Sequence, residues 1–196
     1  AASDVYKRQD EVMLDTEYSQ CTFHACDFSK TNLQRSSFDT CRFESCDFSL
    51  TKFGYVLRDV VFTDCRMTGA EFTELNKFSN GLVFEKSMLN YANFVGIKIH
   101  KTVFRDCLLH EAYFDDSDLT ASCFDLCDLT RASFHRTNLE KVDFSSSFHF
   151  TIDPTQCKLK KTIFPESELR GLVAHLNIII KSVSYTHLRA HETLAN

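Results

Sequence analysis

The sequence predicts a solenoid, a fold in which a short unit stacks on itself. From Phe84 a large apolar residue recurs at every fifth position through Phe144, and the period returns at Leu159 and Phe164. Sixteen of the nineteen phenylalanines occupy such a position, which we call a centre. Neither a helix with 3.6 residues per turn nor a strand with two can keep every fifth residue on one face for this length, so the units must form coils.

The first half of the chain follows the same period with two interruptions. The centres begin at Tyr18, slip by one residue near Gly54, and break again near Gly81. Glycine adopts dihedral angles that other residues avoid. We therefore expect a bulge or a short loop at each glycine.

The nine cysteines follow the period too. Cys123 stands directly before a centre, whereas eight others stand two residues before one, where small residues recur: Cys21, Cys26, Cys41, Cys46, Cys65, Cys107, Cys127 and Cys157. A thiol in such a position packs as a small hydrophobe. We favour packing over two alternatives, disulfides and a zinc site, because stacked side chains point the same way and do not converge.

The regular pattern ends in two steps. In the segment 145–156 the period places His149 and Pro154 at centres, which predicts an irregular coil. Residues 165–181 then show apolar residues at helical spacing, and we predict an amphipathic helix that caps the open end of the last coil. Its apolar face consists of Leu169, Leu172, Val173 and Leu176.

Blocks such as CTFHA, CDFSK, TNLQR and SSFDT resemble the repeats of the pentapeptide-repeat family. The resemblance implies an all-β solenoid over residues 10–164, a right-handed quadrilateral β-helix in which four repeats make one coil of twenty residues. In this arrangement, Phe104 and Phe124 should stack. The segments 1–9 and 182–196 share no pattern with the repeats and resemble translated adaptor sequence, so we interpret them as a non-native leader and tail.

The sequence contains none of the common catalytic or nucleotide-binding motifs, and we predict a protein that is not an enzyme and uses no cofactor or metal. Its formal net charge is −5, with acidic and basic residues interspersed. No apolar run is long enough to cross a membrane, and no export signal is evident, so we expect a cytoplasmic protein.

The resemblance extends to members of the Qnr and MfpA type, which are thought to imitate duplex DNA when they bind DNA gyrase and topoisomerase IV. This implies a protein partner, without direct binding of nucleic acid, and a homodimer formed through the C-terminal end. The candidate contact residues are the acids of the segment 104–128, namely Asp106, Asp115, Asp116, Asp125 and Asp128. Two interpretations remain open: a DNA mimic if the acids gather on one continuous face, or a scaffold or effector that binds another protein if they are scattered.

Overall fold

The computed structural model describes residues 16–181 together with the backbone of Asp4–Val5. Thirteen short strands lie in this part of the chain. They are β1 Asp4–Val5, β2 Glu17–Ser19, β3 Thr22–His24, β4 Asn32–Leu33, β5 Ser37–Asp39, β6 Arg42–Glu44, β7 Lys52–Tyr55, β8 Leu57–Arg58, β9 Val61–Thr63, β10 Glu71–Leu75, β11 Val83–Glu85, β12 Val103–Arg105 and β13 Cys123–Asp125. Two short 3₁₀ helices follow, Glu166–Leu172 and Ala174–Leu176.

The strands form three parallel sheets that run along the solenoid. The largest has the order β1-β3-β6-β9-β11-β12-β13, and two three-stranded sheets have the orders β10-β7-β4 and β2-β5-β8. Neighbouring coils pair at an offset of twenty residues, since Phe84 pairs with Phe104 and Phe104 with Phe124. This confirms the predicted β-helix. Asp4–Val5, which the sequence analysis assigned to the leader, pairs with β3, whereas the proposed tail 182–196 lies outside the described residues.

The centres fill the interior as four columns, which define four sides. Side one contains Phe23, Phe43, Phe62, Phe84, Phe104, Phe124, Phe144 and Phe164; side two Phe28, Phe48, Met67, Leu89, Leu109 and Leu129; side three Leu33, Phe53, Phe72, Phe94, Phe114 and Phe134; and side four Tyr18, Phe38, Leu57, Ile99, Leu119, Leu139 and Leu159. Neighbouring rings of one column stack nearly parallel, as Phe104 does on Phe124 at 4.7 Å. Rings of sides one and three meet edge to face, as Phe104 and Phe114 do at 5.9 Å. This packing holds the cross-section constant.

The two interruptions change the coil length locally; the columns of sides one, two and three continue, whereas buried Ser79 takes the position after Leu57 on side four. Phe43 pairs with Phe62, a step of nineteen residues, and Phe62 pairs with Phe84, a step of twenty-two. Gly81 has a φ of +65°, as expected for its role. Gly54 acts differently, because its φ is not positive and an added Cβ would lie 2.6 Å from the Cα of Gln34.

Most corners of the coil require a left-handed residue. The position two residues after a centre repeatedly has a φ between 48° and 60°, even where the residue is not glycine, as in Lys86 and Lys141. Such residues cost about 1 kcal/mol each relative to the right-handed region. The interior packing and the hydrogen bonds between coils offset this cost.

The cysteines of the interior behave as packing residues. Cys26, Cys41, Cys46, Cys65, Cys107 and Cys127 are buried, and all nine cysteines are free thiols in the structure. Their sulfur atoms lie near backbone carbonyls, as Cys107 Sγ does 3.4 Å from the Phe84 oxygen. The structure therefore contradicts the disulfide alternative and agrees with packing. Cys123 faces outward and is half-buried. Cys21 and Cys157 are half-buried too, because they lie at inward positions of the terminal coils.

The C-terminal segment caps part of the last coil, but not with the predicted α-helix. The first 3₁₀ helix starts after Pro165, as expected, and none of its residues is buried. Gly171 explains the difference: its carbonyl accepts a hydrogen bond from the N–H of Ile152 at 3.1 Å, and an added Cβ would lie 2.1 Å from the Phe150 oxygen. This tight contact pulls the segment onto the coil and takes a carbonyl from the α-helical pattern.

The capping is therefore partial. Leu172 packs against the core and Val173 is half-buried, whereas Leu169 and Leu176 remain exposed. The predicted irregularity of the last full coil is present, because Phe150 occupies the interior in place of His149.

Candidate protein-interaction surface

The five candidate aspartates do not form one face. Asp106 and Asp125 follow centres of side one, Asp115 and Asp116 follow a centre of side three, and Asp128 precedes a centre of side two. Sides one and three lie on opposite flanks of the solenoid. The single acidic surface that the sequence analysis considered is therefore absent from this set of residues.

The two aspartates of side three have partners one coil higher. Asp115 accepts hydrogen bonds from the Ser133 hydroxyl and from the backbone N–H of His135 at 2.7 Å. Asp116 accepts two hydrogen bonds from Arg136, both at 2.6 Å. The guanidinium lowers the pKa of Asp116, and this bidentate geometry is the strong form of such a pair.

On side one, Arg105 connects three successive coils. Its guanidinium lies 2.8 Å from Glu85 on one neighbouring coil and 3.2 Å from Asp125 on the other. Asp125 also accepts a hydrogen bond from Ser146 at 2.8 Å. Its negative charge is thus partly neutralised.

Asp128 is the most enclosed of the five and lies between two histidines. Its Oδ1 accepts hydrogen bonds from the N–H and hydroxyl of Thr130 and lies 3.1 Å from His149 Nδ1. His110 Nε2 is 3.0 Å from Oδ2 but forms no aligned hydrogen bond, so this contact is an ion pair when the ring is protonated. Burial alone would raise the pKa of Asp128, but the hydrogen bonds from Thr130 and the close contacts with the two histidines outweigh it and lower the pKa to about 2.

Asp106 differs from the other four. It is exposed, and within residues 16–181 its carboxylate has no hydrogen-bond or ion-pair partner. One free carboxylate does not make a polyanionic surface.

A group of exposed lysines was not singled out by the sequence analysis. Lys141, Lys158, Lys160 and Lys161 lie at the C-terminal end of side four and at its corner with side one, and we call them the basic edge. Within the described part of the chain none of the four forms an ion pair. Glu140 lies one coil below Lys160, yet no ion pair joins them. In the sequence these lysines are visible as the run KLKK at 158–161, but the five-residue period draws attention to the centre Leu159 and not to the lysines around it.

Several exposed apolar residues lie near the C-terminal end of the described chain. Ile179 is 88 % exposed, and Leu169, Leu176 and Ile178 are each about half exposed. Large exposed apolar patches are typical of interfaces.

A cleft of about 280 Å³ lies beside this end, where the irregular coil leaves side three uncovered. Asp153 and His175 face each other across it at 3.7 Å. Its other polar lining residues include Arg131, Ser133, His135, Gln156 and Cys157. Burial raises the pKa of the Cys157 thiol, which is therefore a poor nucleophile.

Two kinds of feature are absent from the described residues. Within them, no three histidine, cysteine or acidic side chains are arranged to hold a metal ion. No helix among residues 16–181 has the length and apolar character needed to span a bilayer.

Two protein-family models match the repeats. Residues 16–94 match the model of a pentapeptide repeat region, and residues 107–146 match a model of eight pentapeptide repeats. The chain belongs to the pentapeptide-repeat family. A comparison with curated proteins gave no match.

Several solved structures share the fold of this pentapeptide-repeat protein. HetL, a pentapeptide-repeat protein involved in heterocyst differentiation regulation in the cyanobacterium Nostoc sp. strain PCC 7120, is 16 % identical, with a TM-score of 0.61 over 82 % of this chain and 88 % of HetL. A trypsin-treated form of QnrB1, a plasmid-mediated fluoroquinolone resistance protein, is 17 % identical, with a TM-score of 0.54 over 86 % of this chain and 96 % of that chain. At these identities the likeness concerns the fold alone.

Proposed function

We propose that this pentapeptide-repeat protein is a non-enzymatic module that binds another protein. The observation that carries the proposal is the internal pairing of the candidate acids: Asp115, Asp116, Asp125 and Asp128 all have partners within the molecule. A rigid rod with interleaved charges suits a protein surface with complementary charges. Proteins of this family are typically structural or interaction proteins.

Photo-crosslinking from each side of the rod tests this proposal. A photoreactive residue replaces, in separate variants, Arg105 on side one, Leu108 on side two, Tyr113 on side three or Lys98 on side four, all of them exposed. In native host cells we expect one protein to be cross-linked from one side or from two adjacent sides. Equal, weak labelling of many proteins from all four sides would contradict a specific partner.

A DNA mimic that protects gyrase or topoisomerase IV from fluoroquinolones is the second candidate. The even stacking of the coils favours it, because successive rings of side one are about 5 Å apart. QnrB1, which shares this fold, is a fluoroquinolone resistance protein.

A supercoiling assay with purified gyrase and a fluoroquinolone decides between the two candidates. A DNA mimic should restore supercoiling at about 50 mM salt and lose the effect at about 300 mM, since screening weakens contacts between charges. A variant with the five candidate aspartates changed to asparagine should not protect. If the parent protein neither binds gyrase at low salt nor alters its drug sensitivity, the mimic is excluded and the general interaction module stands.

A further inference from the structure

Among residues 16–181, the last coil has a strand edge, on side four and at its corner with side one, that pairs with no further strand. In the coil below, the backbone N–H groups of Leu139, Lys141 and Phe144 donate to carbonyls of Lys158, Lys160 and Ile163, each at 2.9 Å. One coil higher, the equivalent N–H groups belong to Leu159, Lys161 and Phe164. No described residue accepts a hydrogen bond from these three N–H groups.

Two carbonyls of the same edge also lack a backbone partner in the described part of the chain. Those of Thr137 and Val142 accept from Lys158 and Ile163 at 3.1 and 2.9 Å. Their equivalents one coil higher are Cys157 and Thr162, whose carbonyls have no backbone donor among residues 16–181. The 3₁₀ helix does not cover this edge, since its hydrogen bonds go to the backbone of His149 and Ile152. Free backbone donors and acceptors thus alternate along this edge, as they do along the edge strand of a sheet.

The side chains around this edge specify the neighbour. Lys158 and Lys160 point outward on either side of Leu159, which faces the interior but is only half-buried. The basic edge therefore presents a cation, an apolar surface and a second cation in succession. A strand laid alongside has the same two-residue alternation, so acidic residues at alternate positions would face the lysines while apolar residues between them cover Leu159.

We propose that the basic edge binds an extended acidic segment of a partner protein by strand addition, an inference that rests on the proposed function. The pattern required is acidic, apolar, acidic, with the acids opposite Lys158 and Lys160. Backbone hydrogen bonds to Leu159 and Lys161 provide the pairing, and Lys141 and Lys161 extend the positive potential around the corner. Within residues 16–181 the four lysines form no ion pairs, in a protein of net charge −5, and carboxylates of a partner supply the complementary charge.

Nucleic acid and anionic lipid fit this surface less well. Within side four, the basic edge contains no arginine and no exposed aromatic ring for stacking on bases. The molecule as a whole repels polyanions, because acids outnumber basic residues, 27 to 22. A short acidic strand needs only the local patch.

Fluorescence polarisation with the full chain tests the proposal. The probe is a labelled seven-residue peptide that alternates glutamate and valine. We expect saturable binding that weakens at least tenfold when Lys158→Gln and Lys160→Gln are combined. The matched control combines Lys30→Gln and Lys86→Gln, two exposed lysines without ion pairs elsewhere on the rod, and should leave binding unchanged.

Two further peptides separate strand pairing from simple attraction of charge. A peptide of the same composition with its glutamates in one block, and the alternating peptide with N-methyl groups on every second amide, should each bind at least tenfold more weakly. Equal binding of all three peptides would overturn the proposal. So would lysine-dependent binding of duplex DNA or of phosphatidylserine vesicles without binding of the peptide, or occlusion of the edge by a second copy of the chain.

The result also distinguishes this inference from the general function. If the peptide does not bind while photo-crosslinking still captures one partner from another side, the strand-addition site is wrong, and the interaction module remains.

Discussion

At the scale of the residue, Asp128 shows how a surface carboxylate finds its partners on neighbouring coils. Its neighbours come from three successive coils, since His110 lies one coil below and His149 one coil above. The Asp128 side chain is only 17 % exposed, so its contacts are shielded from solvent. Titration of this carboxylate should therefore affect the stability of the fold.

We expect Asp128→Asn to lower the free energy of unfolding by about 2 kcal/mol at pH 5. This value follows from the pKa of Asp128, which falls from 3.8 in the unfolded chain to about 2 in the folded protein. A folded-state pKa below the unfolded value stabilises above the unfolded pKa, and the contribution is lost as pH falls through about 2. The difference between parent and variant should thus shrink between pH 4 and pH 2. Urea denaturation at several pH values measures it.

Asp106→Asn is the control for this measurement, because Asp106 has no side-chain partner within residues 16–181. Its stability should follow that of the parent across the same pH range. A difference between Asp128→Asn and the parent that stays constant with pH would show that the asparagine acts through packing and not through charge.

The thiols provide a second test at this scale. In pulsed alkylation of the folded protein we expect Cys123, which faces outward, to react before the six buried cysteines of the interior, because access of the thiolate governs the rate. Burial, together with Asp143 and Asp125, raises the pKa of Cys123, so its labelling should accelerate at higher pH. Cys21 and Cys157, half-buried at the ends, should follow. Peptide mass spectrometry reads out the order, and uniform labelling would contradict the interior ladder.

At the scale of the element, each coil is stabilised by rings that touch the coils above and below. Phe114 is fully buried, stacks on Phe94 at 4.9 Å and on Phe134 at 5.0 Å, and meets two rings of side one edge to face. The cavity left by its removal would be shared by three coils. Rigid neighbouring rings limit collapse around it.

We expect Phe114→Ala to lower the free energy of unfolding by about 3–5 kcal/mol, as for other buried phenylalanines. Phe78→Ala is the matched control, since Phe78 is 56 % exposed in the enlarged coil and should change stability by less than about 0.5 kcal/mol. Chemical denaturation followed by circular dichroism compares the two. Equal losses would mean that the stacked columns are not the principal source of stability.

The period predicted the coil and its interior residue by residue, because every fifth position must satisfy the same packing. It did not predict the partners of the acids, since Arg136 and Asp116 are twenty residues apart and meet only through the register of coils. Nor did it predict the form of the cap. The spacing of Leu169, Leu172 and Leu176 suits an α-helix, but the close approach of Gly171 to Phe150 imposes a 3₁₀ helix.

At the scale of the whole molecule, the C-terminal end of the described chain offers two surfaces. The C-terminal end combines the apolar residues around Ile179 with the basic edge. We propose that the apolar residues form a homodimer contact, as the family resemblance implies. The two surfaces belong to different elements, because the basic edge is part of the last coils and the apolar residues lie in and directly after the 3₁₀ helices.

We expect the full chain to sediment as a dimer and Ile179→Asp to sediment as a monomer, because the change places a charge in the apolar contact. Phe78→Asp also adds a charge at an exposed aromatic residue but lies in the first half of the chain, and it should leave the dimer intact. Analytical ultracentrifugation at several concentrations measures both. A parent protein that is monomeric at high concentration would exclude this contact.

The register of the coils gives the molecule a distinctive mechanical character. The backbone hydrogen bonds between coils point along the rod, as Leu119 N–H does toward the Asn138 oxygen. Tension applied between the two ends therefore loads the coils in series, and the layer with the weakest bonds yields first. Each coil that detaches frees twenty residues, or about 70 Å of slack chain, and leaves the next coil as the new end. Under load the protein should therefore lengthen one coil at a time, in steps that are equal except at the two coils of different length.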